Sequence, residues 1–485
     1  MLVTQAYRFV LDPTPEQQRA LASHCGASRF AYNWGLALVK DRLERRDRVR
    51  AAACCELLDD AEVERLARTV VVPWTLAELR REWNRAKHDR APWWAENSKE
   101  SYSSGLDALA RALKSFSDSK QGRRRGVRVG FPRFKRRGRG RVSCRFTTGA
   151  LGVSSRTRVK LPRIGSVRTH EPTTKLAGKL AAGQASVLSV TISQQAGRWC
   201  CSLTVETQRN DSPAARPEAI VGIDVGIRHL AVLSTRPHDP VENPRGLQRA
   251  QGRLRRYQRK LDRQRRANNP GCYRPDGTAI KGRRPSRAST RQRATERTLA
   301  RAHARARNVR QDAVHKLTTE LAQTYGTVAV EKLNARALCR AGNRGLRRAI
   351  HDASLAEIRR QLTYKTAWRS GLLIQAPTFY PSSKLCSACG TAKAKLSLSE
   401  RNYHCEHCGL QIDRDLNAAL NLAALATRVA GSGPETQNAQ SRPPNRGCTE
   451  NPRKTRPRRA AGRPRSPHRP PADQTGTAPE QSDAA

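Results

Sequence analysis

The spacing of apolar positions changes period several times along the chain, and each change marks an element. Gln5 to Leu11 (QAYRFVL) alternates and predicts a strand. A helix start follows at once, with Thr14 as N-cap, Pro15 in the first turn and Gln17 three residues on. A second helix is predicted over 27–46, where Phe30, Trp34, Ala37 and Leu38 recur at helical spacing and read as a core stripe. A mixed acidic and basic helical piece falls within 47–70. Further helices are predicted over 74–87, with Thr75 as N-cap, and over 101–116, where Leu106, Leu109, Ala110 and Leu113 share a face. Residues 14–118 thus read as an α-helical domain. From Val142 to Glu206 the pattern is β. Val159 to Pro162 leads into a turn at Gly165, and Val187–Ser193 and Trp199–Val205 alternate around Ala196-Gly197, a hairpin. The N-terminal strand can join this sheet, so 1–13 and 142–210 read as one small β-barrel interrupted by the helices.

Ser212 to Pro217 (SPAARP) is a linker, and a third region begins after it. Val221 to Ser234 (VGIDVGIRHLAVLS) predicts a strand, a tight glycine turn and a second strand, with Asp224 between Ile223 and Val225. An unpaired carboxylate in an apolar strand is costly to bury. Asp224 is therefore either a solvated residue near Gly222 or a ligand to a cation. Two other stretches bear on that choice. Glu331 ends the short apolar run Val328–Val330, and DRDLNAALNLA places Asp413 and Asp415 at a helix start. Acids from three distant segments meeting at one end of a sheet form the constellation of a metal-dependent phosphodiester nuclease. Asp413 is the natural N-cap. Asp415, in the first turn, is then free to reach a metal, with Asn417 and Asn421 on one helical face to support it. Between these stretches lie a basic helix over 245–266, a loop over 268–287 and a long helix over 294–325. The long helix presents Arg297, Arg301, Arg305 and Arg310 to a groove. A helix over 354–366 and an apolar strand over 373–376 complete the pattern.

Cysteine spacing adds a separate site. Cys386-x2-Cys389-x15-Cys405-x2-Cys408 matches a four-cysteine zinc ribbon, with Gly390 and Gly409 supplying the knuckles. Four thiolates close the tetrahedron and leave no open position, so one zinc there is structural. His404 and His407 are bystanders. The other cysteines are scattered, which suits a reducing compartment.

Charge then narrows the partners. Lys and Arg number 92 against 41 Asp and Glu, a formal +51 with a pI near 11.3. Such an imbalance strains a compact chain unless a polyanion neutralises it, and nucleic acid is the expected partner. The densest stretch is 119–141, where Phe131 and Phe134 interleave with Arg133, Lys135, Arg136 and Arg137. That arrangement suits base stacking combined with phosphate contact. Arg29, Asn33 and Lys40, off the core stripe of the second helix, are further candidate contacts. No secretory or membrane-spanning segment is expected, which implies a cytoplasmic, nucleoid-associated protein of a prokaryotic cell. The tail over 430–485 is rich in Pro and Arg without apolar periodicity and is expected to be disordered.

GIDVG, VEKLN, SSKLCSACG, CEHCG and DRDLNAALN, in this order, resemble the OrfB/TnpB family of insertion-sequence proteins, itself similar to type V CRISPR effectors. YRFVLDPTPEQ, FAYNWGL, FPRFK and VKLPRIG match upstream, so the resemblance spans about 1–425. It implies a multidomain α/β fold. An RNase H-like (RuvC) nuclease domain would occupy 218–380 and 410–428, with the zinc ribbon inserted over 381–409. The β-barrel would be the wedge domain, and 14–118 the recognition domain with a helix-turn-helix-like start. The implied activity is RNA-guided DNA cleavage. A guide RNA from the transposon end would pair with double-stranded target DNA, and Asp224, Glu331 and Asp415 would be the catalytic ligands of two Mg²⁺ ions. His315-Lys316 also match the family pattern, without a catalytic role. The rival readings are a transposase that joins strands directly and a nuclease-inactive RNA-guided DNA-binding regulator.

Overall fold

The computed structural model describes residues 2–431 except 56, 57, 139, 210 and 398. The tail expected to be disordered lies, from 432 on, outside the described residues. The chain opens with β1 (Leu2–Asp12), followed by α1 (Pro15–Cys55), α2 (Asp60–Thr69), α3 (Leu76–Arg90) and α4 (Lys99–Lys120). Local chemistry starts α1 as expected. Gln17 N donates to Thr14 Oγ1 at 3.3 Å, and Thr14 N donates to Gln17 Oε1 at 3.2 Å, a reciprocal cap. Thr75 and Glu78 form the same capping box at α3.

Two expectations fail here. The two helices expected between residues 14 and 46 form one uninterrupted helix of 41 residues, because Gly26 continues it. A single interior glycine costs about 1 kcal/mol, too little to break a packed helix. The core stripe also lies elsewhere. Ala37 is exposed and Phe30, Trp34 and Leu38 are half-buried, while Ser28, Tyr32, Leu36 and Val39 are buried. The cause is α4, which approaches α1 at glycines. A Cβ on Gly105 would stand 2.1 Å from the Ser28 carbonyl oxygen. The backbone-to-backbone approach sets which face is innermost, and the large aromatics pack around its rim. Phe30 and Trp34 both meet Trp83 edge-on, and Trp83 stacks on Tyr102 at 5.0 Å.

The β region comprises β2 (Val142–Phe146), β3 (Gly152–Ser155), β4 (Arg158–Leu161), β5 (Gly165–Thr169), α5 (Thr174–Ala181), β6 (Ala185–Gln195) and β7 (Arg198–Gln208). With β1 it forms a seven-stranded antiparallel sheet in the order β2-β6-β7-β1-β5-β4-β3. β6 and β7 join through Ala196 (φ 50°) and Gly197 (φ 79°), the two left-handed positions of a hairpin turn. Phe9, Leu11, Ile192, Leu203 and Val205 fill one core.

The third region comprises β8 (Arg216–Asp224), β9 (His229–Leu233), β10 (Arg236–Glu242), α6 (Gly246–Asn268), α7 (Thr290–Thr324), β11 (Tyr325–Val330), α8 (Ala335–Ala341), α9 (Arg344–Ala353), α10 (Leu355–Trp368) and β12 (Leu372–Gln375). It ends with β13 (Asn402–His404), β14 (Gln411–Asp413) and α11 (Arg414–Gly431). The short helices α8 and α9 were not expected. The main sheet runs β10-β9-β8-β11-β12. β9 is antiparallel to both its neighbours, and β8, β11 and β12 are mutually parallel. One face carries the core of Val221, Ile223, Leu230, Val314, Leu321, Val328, Ile358 and Leu362. α11 packs on the other. Among the described residues, no helix is long and apolar enough to cross a membrane.

α11 lies directly on the β8 backbone. A Cβ on Gly222 would stand 1.9 Å from Ala419 O and 2.5 Å from Ala423 N, both main-chain atoms that cannot swing aside. Gly222→Ala should therefore lose about 3 kcal/mol of stability. Gly252→Ala, on the open face of α6 with no atom within 4 Å, should gain up to about 1 kcal/mol. Urea unfolding of both variants checks this, and equal stabilities would exclude the close approach.

Candidate functional site

Two acids meet because of strand register. Val330 pairs with Ile223 in the parallel ladder, so the next residues, Glu331 and Asp224, leave the sheet side by side at its C-terminal edge. The third arrives through Gly222. A helix advances about 6 Å in four residues and a strand about 6.6 Å in two. Asp415, four residues before Ala419, thus comes level with Asp224, two residues after Gly222. Asp224 is half-buried and lines a cleft. That burial, then the charges of Glu331 and Asp415, push its pKa well above the ordinary carboxylate value, and Arg414 only partly opposes them. A site with this surplus of negative charge fits cations.

Helix capping separates the two candidate aspartates. Asp413 Oδ1 accepts from Asp415 N at 2.9 Å and Leu416 N at 3.0 Å, so Asp413 caps α11. Asp415 instead turns to the cleft and meets the Arg414 guanidinium at 3.3 Å. Glu331 is held by Ser382, whose hydroxyl donates to Oε1. Ser382 is in turn tied to α11, because Asn421 Nδ2 donates to Ser382 O at 2.8 Å and Leu385 O at 2.7 Å. Asn417 Nδ2 donates to Leu385 O at 2.6 Å and its Oδ1 accepts from Ser387 N at 2.9 Å. The two asparagines therefore grip the chain entering the cysteine module and do not touch Asp415 directly. Only its place just before a C-x-x-C marked Ser382 in the sequence.

The Sγ atoms of Cys386, Cys389, Cys405 and Cys408 all lie within 4.8 Å of one another. Among the described residues this is the set of potential ligands that closes so tightly, and it excludes His404 and His407. Without a metal the thiols share protons: hydrogen bonding with Thr391 pulls the Cys389 thiol down to about 5, while the neighbouring thiols push Cys408 up to about 12, and a metal requires them all as thiolates.

The three acids line a cleft of about 1260 Å³ whose walls also carry Arg228, Arg245, Arg255, Arg344, Arg348 and Arg401. Asp352 lines it too, but its carboxylate accepts from Leu247 N at 2.9 Å and Gln248 N at 3.0 Å and faces Arg310 at 3.7 Å. It holds the start of α6. Arg310 is therefore paired inward and does not face a groove as expected. Arg297 and Arg301 lie against the β6–β7 turn at Gly197.

The basic segment is docked on α1. Asn33 Nδ2 donates to Lys135 O at 2.9 Å, and Lys135 N donates to Asn33 Oδ1 at 2.8 Å. The Lys135 ammonium stands 3.8 Å from the Tyr32 ring centroid, where desolvation lowers its pKa. Lys40 stands 5.2 Å from the Phe134 centroid. Phe131, expected as a stacking ring, meets Phe116 edge-on and joins the helical core. Arg133, Phe134, Lys135, Arg136 and Arg137 are all exposed, and Arg29 is half-buried one turn before Asn33.

Family models match three stretches. The OrfB model of IS605 elements, described as "Probable transposase", matches 202–341. A "Cas12f1-like, TNB domain" matches 356–422 and a "Helix-turn-helix domain" matches 1–48. A Mycobacterium tuberculosis protein named "Putative RNA-guided DNA endonuclease" is 35% identical over 446 residues, 89% of this chain and 88% of the relative. A Streptomyces pristinaespiralis protein of the same name is 31% identical over 443 residues, 91% of this chain and 94% of the relative. Among solved structures, a Cas12f1–sgRNA–target DNA complex aligns with a TM-score of 0.43 at 13% identity, over 87% of this chain and 99% of that one.

Two predictions come from these electrostatics. The folded-state pKa of Asp224 is raised above its unfolded value, so the native chain binds more protons than the unfolded chain between the two. Metal-free stability should then fall as pH rises through that window. Asp224→Asn cannot ionise and should remove this part of the slope. Melting in chelator across pH measures both, and parallel curves would contradict the coupling. Second, replacing Arg133, Arg136 and Arg137 by Gln should flatten the salt dependence of nucleic-acid affinity by up to about 0.9 for each phosphate no longer neutralised. Lys135→Gln should chiefly loosen the loop. Titrations at several salt concentrations separate the two effects, and an unchanged slope in the triple variant would exclude phosphate binding there.

Proposed function

We propose, because the chain belongs to the OrfB/TnpB family of insertion-sequence proteins, that it is an RNA-guided DNA endonuclease hydrolysing phosphodiesters at Asp224, Glu331 and Asp415. The observation that carries this reading is the meeting of three acids from distant segments at one sheet edge, inside a cleft walled by arginines. The sheet order supports it. Three antiparallel strands followed by two parallel to the first is the RNase H-like arrangement, so the third region is read as a RuvC-like domain. The seven-stranded sheet is read as the wedge domain and 14–118 as the recognition domain.

Asp224, Glu331 and Asp415 would hold two Mg²⁺ ions. Once bound, such ions supply an activated water near neutral pH and neutralise charge on the leaving oxygen. The chain's own part is placement. Register, Gly222 and the Ser382 hydroxyl fix the three carboxylates, and the cleft arginines bind the flanking phosphates of the strand. Cys386, Cys389, Cys405 and Cys408 would hold one structural Zn²⁺. Guide RNA paired with target DNA would supply sequence specificity, while Arg133, Arg136, Arg137 and their neighbours hold the backbone.

Asp224→Ala, Glu331→Ala and Asp415→Ala should each abolish cleavage, and double variants should lose no more, since each removes a ligand from one unit. Asp413→Ala should lose only about 1 kcal/mol of helix stability and keep cutting. The assay is cleavage of a target library by the protein with its copurified RNA and Mg²⁺. An inactive Asp413→Ala beside an active Asp415→Ala would reverse the assignment. Guide-dependent binding without any cutting would make the protein a regulator, and strand joining without RNA would make it a transposase.

A further inference from the structure

The passage from β12 to Ser382 contains a residue that its own backbone disfavours. Tyr380 N donates to Pro377 O at 3.1 Å, closing a turn over 377–380. Phe379, its third residue, has φ 70° and is 95% exposed. Thr378 is not left-handed, so this is the turn form with one positive φ, at the position that calls for glycine or asparagine. A phenylalanine there strains the backbone and gains almost no burial. Folding has no use for this ring, and a site where local sequence contradicts local structure is where function is sought.

The turn stands at the edge that matters. β12 is parallel to β11 and β8, so its C-terminal end lies at the edge bearing Asp224 and Glu331. From that edge the chain runs through Phe379 to Ser382, which bonds Glu331. Three residues reach about 10 Å at most. The platform is fixed at several points. Tyr380 OH donates to Asn421 O at 3.3 Å, Ser382 N to Tyr380 O at 2.9 Å, and Leu385 N to Pro381 O at 3.0 Å. These bonds fix the backbone that carries the ring, so covering the exposed ring with a flat partner orders only its own side chain. In a chain of net charge +51, with Lys384 and Ser383 of the same segment lining the cleft, the flat partner that the chemistry favours is a nucleobase.

We propose that Phe379 is a stacking platform for an unpaired base of the DNA strand delivered to the three acids, which rests on the endonuclease reading for its choice of strand. The test compares full-length wild type, Phe379→Gly and Phe379→Trp for affinity toward a short oligothymidylate, at salt high enough to screen the phosphates. Phe379→Gly should weaken binding about tenfold and Phe379→Trp should preserve it. Phe379→Gly should also melt at or above the wild-type temperature, because glycine relieves the strained turn. Unchanged affinity in Phe379→Gly would overturn the proposal. So would an affinity loss accompanied by a lower melting temperature, since the ring would then be structural. Cleavage is read separately. A tenfold binding loss in a protein whose wild type cuts no DNA would leave the stacking role standing and remove the endonuclease reading.

Discussion

A helix can lie on a strand, main chain against main chain, only where the strand has no side chain to hold it off. That condition is met at Gly222, where Ala419 and Ala423 of α11 come within contact distance of the β8 backbone. The position of Asp415 depends on it. Carboxylates from the start and the end of the third region, nearly two hundred positions apart in sequence, reach one place because a single residue lacks a methyl group. The same close approach brings the asparagine face of α11 against the chain that leads into the cysteine module.

That second junction joins two sites that differ in chemistry. Asn417 and Asn421 make three bonds to the carbonyls of Ser382 and Leu385, each contributing about 1 kcal/mol net. Ser382 then carries the restraint to Glu331. The four-cysteine cluster begins one residue beyond Leu385. Holding the thiols together therefore also holds the segment that orients an acid, although no cysteine lines the cleft. A closed metal site stabilises the fold locally, and here the local fold includes one wall of the candidate active site.

Features governed by short-range chemistry were legible in the sequence. The N-cap roles of Thr14, Thr75 and Asp413, the hairpin at Ala196-Gly197 and the four-cysteine spacing each follow from residues within a turn or two of one another. The cap at Asp413 is recognised locally, and Asp415, two residues on, lines the cleft. What escaped was set by distant partners. The inner face of α1 is decided by the approach of Gly105, seventy-odd residues away, and not by its largest apolar side chains. The inward pairing of Arg310 depends on Asp352, and the engagement of Asn33 depends on Lys135. A polar residue on a helix shows that it needs a partner without showing which one.

The unbroken α1 has a mechanical meaning. Near its start Leu21 and Cys25 belong to the core of the seven-stranded sheet, and farther along Ala31, Tyr32, Leu36 and Val39 belong to the helical core. A helix of 41 residues is a rod about 60 Å long. Clamped in two cores, it acts as a shared axle. The sheet and the helices cannot fold toward each other without breaking the rod's own hydrogen bonds, so a load on the far end of the helical layer is transmitted to the sheet as torque.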